Sequence, residues 1–221
     1  MESQTPPAPA APAAAGYPVS FDVEYQDREL SRLTTFFRVF TVIPIAILLA
    51  TISGFSTEFD QVGEQAQTVG ISGVGLLFLP VLLMLVFRHR YPRWWFDWNL
   101  NLQRFVNRIG VYALLMDDRY PSTEDQQAVR LEYPYPDPSR LSRGLPLVKW
   151  FLAIPHYVVL FFLGIAAFVA TVIAWFAILF TGRYPKGLFD FVAGFLRWHN
   201  RVVGYAFVLV TDEYPPFRLA P

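Results

Sequence analysis

Few side chains in this sequence of 221 residues could do chemistry, and the first is a histidine inside an apolar segment. His156 and its neighbour Tyr157 lie in residues 150–182, a stretch that contains no Asp, Glu, Lys or Arg. An ionisable residue in such surroundings is a functional candidate, for instance in the passage of protons or ions. The alternative is a structural hydrogen bond, because Pro155 frees a backbone carbonyl that a neighbouring side chain can satisfy.

Two aspartates occupy matching places, each directly after aromatic residues and near the predicted start of a helix. A carboxylate at that end of a helix is stabilised by the helix dipole, and it can pair with basic residues upstream. Asp97 also lies seven residues before Arg104, and Asp190 lies seven residues before Arg197. We therefore predict helix capping and a structural ion pair at each aspartate. The alternative is a proton-coupled or substrate carboxylate.

The segments around these aspartates combine aromatic and basic residues. In residues 94–110 and 188–203, apolar side chains recur every three or four positions, which predicts amphipathic helices. Aromatic residues on one face and arginines on the other are typical of a helix in the membrane interface. The candidate contacts with lipid or with a partner are Arg104, Arg108, Arg197, Arg201, Trp95, Trp98 and Trp198. A plain anchoring role for both helices is the alternative.

Composition excludes several classes of function. The sequence has no cysteine and three scattered histidines, so we predict neither a metal site nor a cofactor. Its 18 basic and 18 acidic residues balance, which does not favour nucleic acid as a partner. Motifs of hydrolases, P-loop proteins, dinucleotide-binding proteins and zinc proteases do not occur, and we expect a protein that is not an enzyme. A lipid-modifying enzyme would have only Asp97, Asp190 and His199 to use.

The elements that must position these residues are strongly apolar. Apolar residues make up 54% of the sequence and charged residues 16%, which indicates a protein partly solvated by lipid. The 150–182 stretch would be roughly 50 Å long as one helix, too long for one crossing, so we predict that the chain folds back at Gly164. The predicted fold is an all-α polytopic membrane protein with four transmembrane helices, residues 33–53, 70–87, 144–163 and 164–180.

The basic residues predict the orientation of these crossings. Lys and Arg fall only in or beside residues 28–38, 88–149 and 183–218, whereas the loop at 55–69 is acidic. Under the positive-inside rule both termini are then cytoplasmic, in a multi-pass protein of the inner membrane. Arg38 and Lys149 lie inside their predicted helices and are expected to extend toward the same surface. The Pro/Ala-rich residues 1–16 are predicted to be a disordered tail.

The sequence also repeats itself. Leu-Ser-Arg at 30–32 returns at 141–143, and Arg-Tyr-Pro at 90–92 returns at 183–185. We predict two parallel tandem repeats, residues 17–121 and 129–217, joined by a linker at 122–128. In each repeat an interfacial amphipathic helix follows the two crossings. Both repeats open with an alternating segment, which predicts a small cytoplasmic β element whose partner strands are residues 112–116 and 205–210.

At these motifs the chain resembles a known family. Lys-Trp-Phe-Leu-Ala-Ile-Pro-His-Tyr at 149–157, Phe-Thr-Gly-Arg-Tyr-Pro at 180–185 and Thr-Asp-Glu-Tyr-Pro-Pro-Phe at 211–217 resemble the bacterial membrane family catalogued as domain of unknown function 4389. The resemblance covers nearly all of residues 17–217 as two copies. The first copy departs from the pattern at Ile45, where the family has His, and at Arg88-His89, where it has Thr-Gly. The resemblance implies an integral membrane protein, commonly actinobacterial, and supplies no activity.

These observations together predict a non-enzymatic protein of the inner membrane. We expect a scaffold or accessory subunit whose basic, aromatic cytoplasmic rim binds anionic membrane lipid or a partner protein. The partner could be a second copy of the chain. The alternative is a small transporter or channel with a polar site near His156.

Overall fold

The computed structural model describes residues 16–53, 79–123, 125, 127–137, 139 and 141–221. The predicted disordered tail lies outside these residues except for its last position, and the acidic loop at 55–69 lies wholly outside them. Residues 70–78 of the second predicted crossing are outside the described part as well.

The described chain is mainly helical. In chain order, its elements are β1 (Ser20–Val23), α1 (Arg32–Ser53), α2 (Leu79–Arg88), α3 (Arg93–Ala113), β2 (Val129–Glu132), α4 (Leu145–Leu152), α5 (Ile154–Thr181) and α6 (Lys186–Ala206). A π-helical turn, Met84–Arg88, ends α2. Helices α3 and α6 each begin directly after a proline, Pro92 and Pro185, whose fixed φ starts the first turn without a side-chain cap.

The predicted four-span membrane fold is wrong for this structure. Leu145–Thr181 is the one helical segment, within the described residues, that is long and apolar enough to cross a membrane. It consists of α4 and α5, interrupted at Ala153, because Pro155 has no N–H to continue the backbone ladder. The described part of the second predicted crossing is only the short helix α2.

The predicted turn at Gly164 is also absent. Helix α5 runs through this glycine without a break and is 28 residues long, about 42 Å at 1.5 Å per residue. A single glycine costs roughly 1 kcal/mol in a helix, which apolar helix-forming neighbours readily offset. The missing side chain serves packing instead, because the ring of Phe195 in α6 comes within 3.6 Å of where a Cβ would lie. Length alone was therefore a poor guide to a reversal.

Strands β1 and β2 pair with each other in an antiparallel two-stranded sheet. Phe21 lies opposite Leu131, and both side chains point into the core. The segments predicted as partner strands, residues 112–116 and 205–210, instead end helices α3 and α6. Each contains a leucine in the left-handed conformation, Leu115 with φ 64° and Leu209 with φ 59°. This tight turn prevents an extended strand there.

The core lies between the sheet and the two helices α3 and α6. Strand β2 packs against α3 and strand β1 packs against α6, while α5 packs along α6 and against α1. Each strand therefore contacts the helix of the other half of the sequence. The first half is defined here as residues 17–121 and the second half as residues 129–217.

Candidate functional site

Two buried cations anchor helices α1 and α4 to the loops that follow α3 and α6. Arg38 Nη2 lies 2.7 Å from Asp118 Oδ1, and Lys149 Nζ lies 2.6 Å from Asp212 Oδ1. The side chains of Arg38 and Lys149 are 3% and 0% exposed. Burial of a charge is costly unless a counter-charge is present, so each aspartate makes the buried cation tolerable. The two cations therefore do not extend to the surface as predicted.

The same two aspartates also hold the chain before each helix. The backbone N–H of Ser31 donates to Asp118 Oδ2 at 2.8 Å, and that of Ser142 donates to Asp212 Oδ2 at 2.7 Å. One carboxylate thus joins a buried cation to the start of a helix in each half of the molecule.

Two asparagines join α3 to α6. Asn107 Nδ2 donates to Asn200 Oδ1 at 2.8 Å, and Asn200 Nδ2 donates to Asn107 Oδ1 at 2.7 Å. Each amide also donates to a carbonyl of its own helix. Because both amides are buried, this reciprocal pair satisfies polar groups that have no access to water.

Two of the predicted lipid-contact arginines hold the sheet. Arg104 Nε donates to the carbonyl of Leu131 at 3.0 Å, and Arg197 Nε donates to the carbonyl of Phe21 at 3.1 Å. These carbonyls belong to the two residues that face each other across the sheet. Both guanidinium groups are thereby fixed in position by backbone acceptors.

The arginines of α6 also bind the end of the chain, residues 214–221, which we call the C-terminal tail. Arg197 Nη1 donates to the carbonyl of Leu219, and Arg201 donates to the carbonyls of Arg218 and Ala220. Arg201 is almost completely buried, and this burial lowers its pKa. The structure therefore uses this pair of arginines internally.

The arginines of α3 border a cavity of about 460 Å³. We call it the arginine pocket; its charged lining residues are Arg104, Arg108, Arg119, Arg130, Glu24 and Glu132. Arg108 Nη1 donates to the carbonyl of Ser122 at 2.5 Å. Burial lowers the pKa of Arg108, and the nearby charge of Arg104 lowers it further. The two guanidinium groups are thus close enough to repel each other.

His156 lies fully buried in an aromatic cluster formed with α6 and the C-terminal tail. Its Nδ1 accepts a hydrogen bond of 3.0 Å from Trp198 Nε1, and its ring stacks on Phe217 with centroids 4.0 Å apart. The structure therefore gives His156 a structural contact, and it places Trp198 in the core rather than on a lipid-facing surface. The neighbouring Tyr157 hydroxyl is buried and has no hydrogen-bond partner among the described residues.

The two tryptophans predicted on α3 differ in exposure. Trp98 is 45% exposed and packs against the half-buried Trp95, with ring centroids 5.4 Å apart. The exposed Trp94 joins them, so three indole rings cluster at the start of α3. Of the three tryptophans predicted to contact lipid, Trp98 is the most exposed.

The aspartates predicted as helix caps lie in the second turn of their helices, because α3 and α6 begin at residues 93 and 186. Asp190 pairs with Lys186 at 3.0 Å, on the exposed surface, and not with Arg197, which pairs with Asp22. No ion pair joins Asp97 to another described residue. Neither aspartate lies with other ionisable groups in a catalytic arrangement within the described chain.

Four polar residues of the repeated motifs were not predicted as site residues: Asp118, Asp212, Asn107 and Asn200. Their signal was that the same polar residue occurs at the same place in both repeats. A cation likewise recurs inside an apolar helix, as Arg38 and Lys149. Within the described residues, no group of three or more His, Asp or Glu side chains could hold a metal ion.

Helices α4 and α5 expose a continuous set of large apolar side chains. One side of α5 packs on α6, and the opposite side carries phenylalanines such as Phe161, Phe168 and Phe180, which are 65%, 66% and 79% exposed. Helix α1 adds Leu33 and Phe40, exposed by 70% and 66%. Large contiguous apolar patches are rare on the surface of monomeric soluble proteins, and they mark contacts with membranes or with other proteins.

The C-terminal part of the chain matches one family model. Residues 146–218 match the family described as Domain of unknown function (DUF4389). This match supports the family for the second half, where the resemblance was closer, and it identifies one copy and not two tandem copies. No curated protein and no solved structure was found to match the chain.

Proposed function

We propose, from the DUF4389 match and the exposed apolar surface, that this chain is a non-enzymatic integral protein of the bacterial inner membrane. Its role would be that of a scaffold or accessory subunit. The observation that carries the proposal is the row of exposed apolar side chains along Leu145–Thr181. Exposing that row to water is costly, at about 25 cal/mol for each Å² of apolar surface, whereas lipid solvates it.

The surface beside α3 supports a role in binding. The arginine pocket and the exposed Trp98 lie on or beside α3, which packs on the sheet and not on the exposed face of α5. We propose that this side meets anionic lipid headgroups or a partner protein. A partner could be a second copy of the chain.

The paired contacts support a further part of the proposal, that the chain contains two copies of one unit. The pairs Arg38–Asp118 and Lys149–Asp212 occur at equivalent places in the two halves of the sequence. So do the hydrogen bonds from Arg104 and Arg197 to strand carbonyls. Such matched contacts are expected when two copies of one fold pack about a pseudo-twofold axis through the asparagine pair.

Extraction of membranes tests the anchor. Membranes that contain the full chain are washed with alkaline carbonate, and an integral protein should stay in the pellet. Replacing Phe161 and Phe168 together by Asp should release a large part of the chain, because two charges would enter lipid. Tyr120→Asp, at an exposed aromatic residue away from α4 and α5, is the control and should stay in the pellet. Release of the unmodified chain by carbonate would overturn the proposal.

Accessibility tags test the proposed orientation. The distribution of Lys and Arg leads us to propose that both termini are cytoplasmic. This orientation requires an even number of crossings, because Leu145–Thr181 alone would place the termini on opposite sides of the membrane. Tags at the two ends should then be protected from a protease added outside intact cells. Purification in mild detergent, followed by light scattering, tests for a partner or a second copy.

A further inference from the structure

The two arginine pairs of α3 and α6 lie in equivalent places but face different surroundings. Arg197 and Arg201 are spaced by four residues on α6, as Arg104 and Arg108 are on α3, so each pair lies on one face of its helix. The pair on α6 is used by three carbonyl oxygens of the C-terminal tail. The segment that follows α3 is the counterpart of this tail, and among its described residues one carbonyl, that of Ser122, accepts from the pair on α3.

The α6 pair reveals which chemistry this arrangement binds. Its guanidinium groups converge on oxygen acceptors, with N to O distances of 2.9 Å for Leu219, 3.2 Å for Arg218 and 2.8 Å for Ala220. The tail carbonyls therefore occupy, on the α6 pair, the positions that the oxygen atoms of a ligand would occupy on the α3 pair. An anionic oxygen would be a stronger acceptor than a neutral carbonyl.

A peptide like the tail does not fit on the α3 pair in the same way. The tail passes over Gly194, where a Cβ would come within 3.0 Å of the Leu219 side chain. The residue at the equivalent position of α3 is Asn101, whose Oδ1 lies 3.4 Å from Arg104 Nη1. The asparagine side chain takes up the space that a peptide backbone would need, so a compact ligand is favoured.

The charge of the arginine pocket also favours an anion. Its lining has four arginines and two glutamates, while Asp117 pairs with Arg119 at 3.0 Å and Asp125 lies near Arg108. Arg104 makes no ion pair with a described residue, so it and Arg108 are the cations best placed to meet an anion. Arg104 is held by the carbonyl of Leu131 and Arg108 by that of Ser122, so little side-chain freedom is lost when a ligand binds. Two fixed guanidinium forks match the geometry of a phosphate group.

We propose that the arginine pocket is a binding site for a phosphate group, with Arg104 and Arg108 as its main ligands and Arg119 and Arg130 at its rim. The phosphate could belong to a lipid headgroup or to a soluble phosphate. This inference deepens the proposed function, because anionic lipid is one of the two sources. It fails separately from the anchor, because carbonate extraction does not depend on the pocket.

Calorimetric titration of the full chain in detergent micelles tests the proposal. The two probes are inorganic phosphate and dihexanoyl phosphatidic acid, a short-chain lipid. We expect a saturable site for at least one of them. Binding of the lipid alone identifies a headgroup site, and similar affinity for both probes identifies a soluble phosphate as sufficient.

Variants locate the site. Arg104→Gln with Arg108→Gln should weaken binding by about tenfold or more for each lost charge-assisted contact. The matched control is Arg143→Gln with Arg183→Gln, which removes the same charge from two exposed arginines outside the pocket and should change affinity less than twofold. Equal weakening by both double variants, or absence of saturable binding to either probe by the folded chain, would overturn the proposal.

A third variant keeps the test decisive if the α3 double variant fails to fold, since Arg104 also holds the sheet. Arg130→Gln alters one exposed side chain at the rim and keeps Arg119, whose guanidinium is the counter-charge of the buried Asp117. We expect this variant to fold and to bind the same probe about two- to fivefold more weakly. Unchanged affinity relative to the Arg143→Gln, Arg183→Gln control would count against the pocket.

Discussion

The first and second halves of the molecule make the same contacts with different residues, and the differences are as informative as the agreement. A buried guanidinium in the first half, Arg38, is replaced by an ammonium in the second, Lys149. The apolar contact of Ile45 with α3 has as its counterpart the hydrogen bond from Trp198 to His156. Both halves have a cation–carboxylate pair, and in both an arginine donates a hydrogen bond to a carbonyl of the strand from the other half.

The differences separate structure from function. Contacts present in both halves hold the helices and the sheet together, so they are expected to control stability. Features present in one half only are the candidates for a specific role. These are the arginine pocket of the first half and the hydrogen bond from Arg197 to the tail carbonyl of Leu219 in the second. The four predictions below test this division, in order of decreasing effect on stability.

Loss of an ion pair that occurs in both halves should have the largest effect on stability. We expect Lys149→Met to lower the free energy of unfolding by about 2–3 kcal/mol, because Asp212, which is 23% exposed, would lose its counter-charge while keeping partial contact with water. Lys149→Arg should recover most of this loss, since the first half uses an arginine at the equivalent place. Denaturant unfolding in detergent micelles measures both changes.

The control for this experiment is the exposed pair of Lys186 with Asp190, in which both side chains are more than half exposed. Lys186→Met should change stability by less than about 1 kcal/mol, as exposed pairs usually do. Equal effects of Lys149→Met and Lys186→Met would mean that the buried pair does not hold α4 in place.

A close approach in the second half should give the next largest effect. A Cβ at Gly204 would lie 2.7 Å from Val19 Cγ2, whereas the equivalent residue of the first half is Val111, which fits. We expect Gly204→Val to destabilise the chain by about 2 kcal/mol through overpacking. Val19→Ala should relieve part of that loss in the double variant, as measured by the same unfolding assay.

Gly187→Ala serves as the control, because no atom lies within 4 Å of its added Cβ. Its stability should be unchanged or slightly raised, since alanine favours the helix. A Gly204→Val variant as stable as Gly187→Ala would show that Val19 and α6 are less tightly packed than the structure indicates.

The asparagine pair tests the contact shared by both halves. Asn107→Leu should cost about 1.5 kcal/mol, because Asn200 would keep buried polar atoms without their partner. Asn200→Leu should have a similar cost. The double variant should be more stable than either single variant, since no unpaired amide remains. A double variant whose loss equals the sum of the two single losses would contradict the reciprocal bond.

The sequence predicted some of this structure because periodicity reports local preference. The amphipathic patterns at 94–110 and 188–203 coincide with α3 and α6, which extend one to three residues further at each end. The alternation near Phe21 and Leu131 lies in the two observed strands. Both patterns arise from one buried face, and burial of one face is visible in the order of residues.

The sequence could not predict which partners the polar residues would choose. Spacing of seven suggested Asp190 with Arg197, but the guanidinium reaches the strand carbonyl of Phe21 and the carboxylate pairs with Lys186. The reversal predicted at Gly164 was wrong, because the length of an apolar run does not fix how the helix is placed against its neighbours. Such choices depend on tertiary contacts between residues far apart in the chain.

Displacement of the tail should have the smallest effect on stability. It would make the arginine pair of α6 resemble that of α3. Gly194→Asn places in α6 the residue that α3 has as Asn101, and its Cβ would lie 3.0 Å from the Leu219 side chain and 3.2 Å from the Leu219 carbonyl oxygen. We expect a loss of about 1 kcal/mol as the tail carbonyls leave Arg197 and Arg201.

The freed arginines should then bind phosphate. Calorimetric titration with inorganic phosphate or dihexanoyl phosphatidic acid, whichever binds the unmodified chain, should give one site before the substitution and two sites after it. Gly187→Asn, where the added side chain meets nothing within 4 Å, should keep one site. Hydrogen exchange of residues 218–221 reports whether the tail has left α6. If the tail is released and only one site is measured, the two arginine pairs do not bind the same ligand. That result would contradict the equivalence of the pair on α3 and the pair on α6.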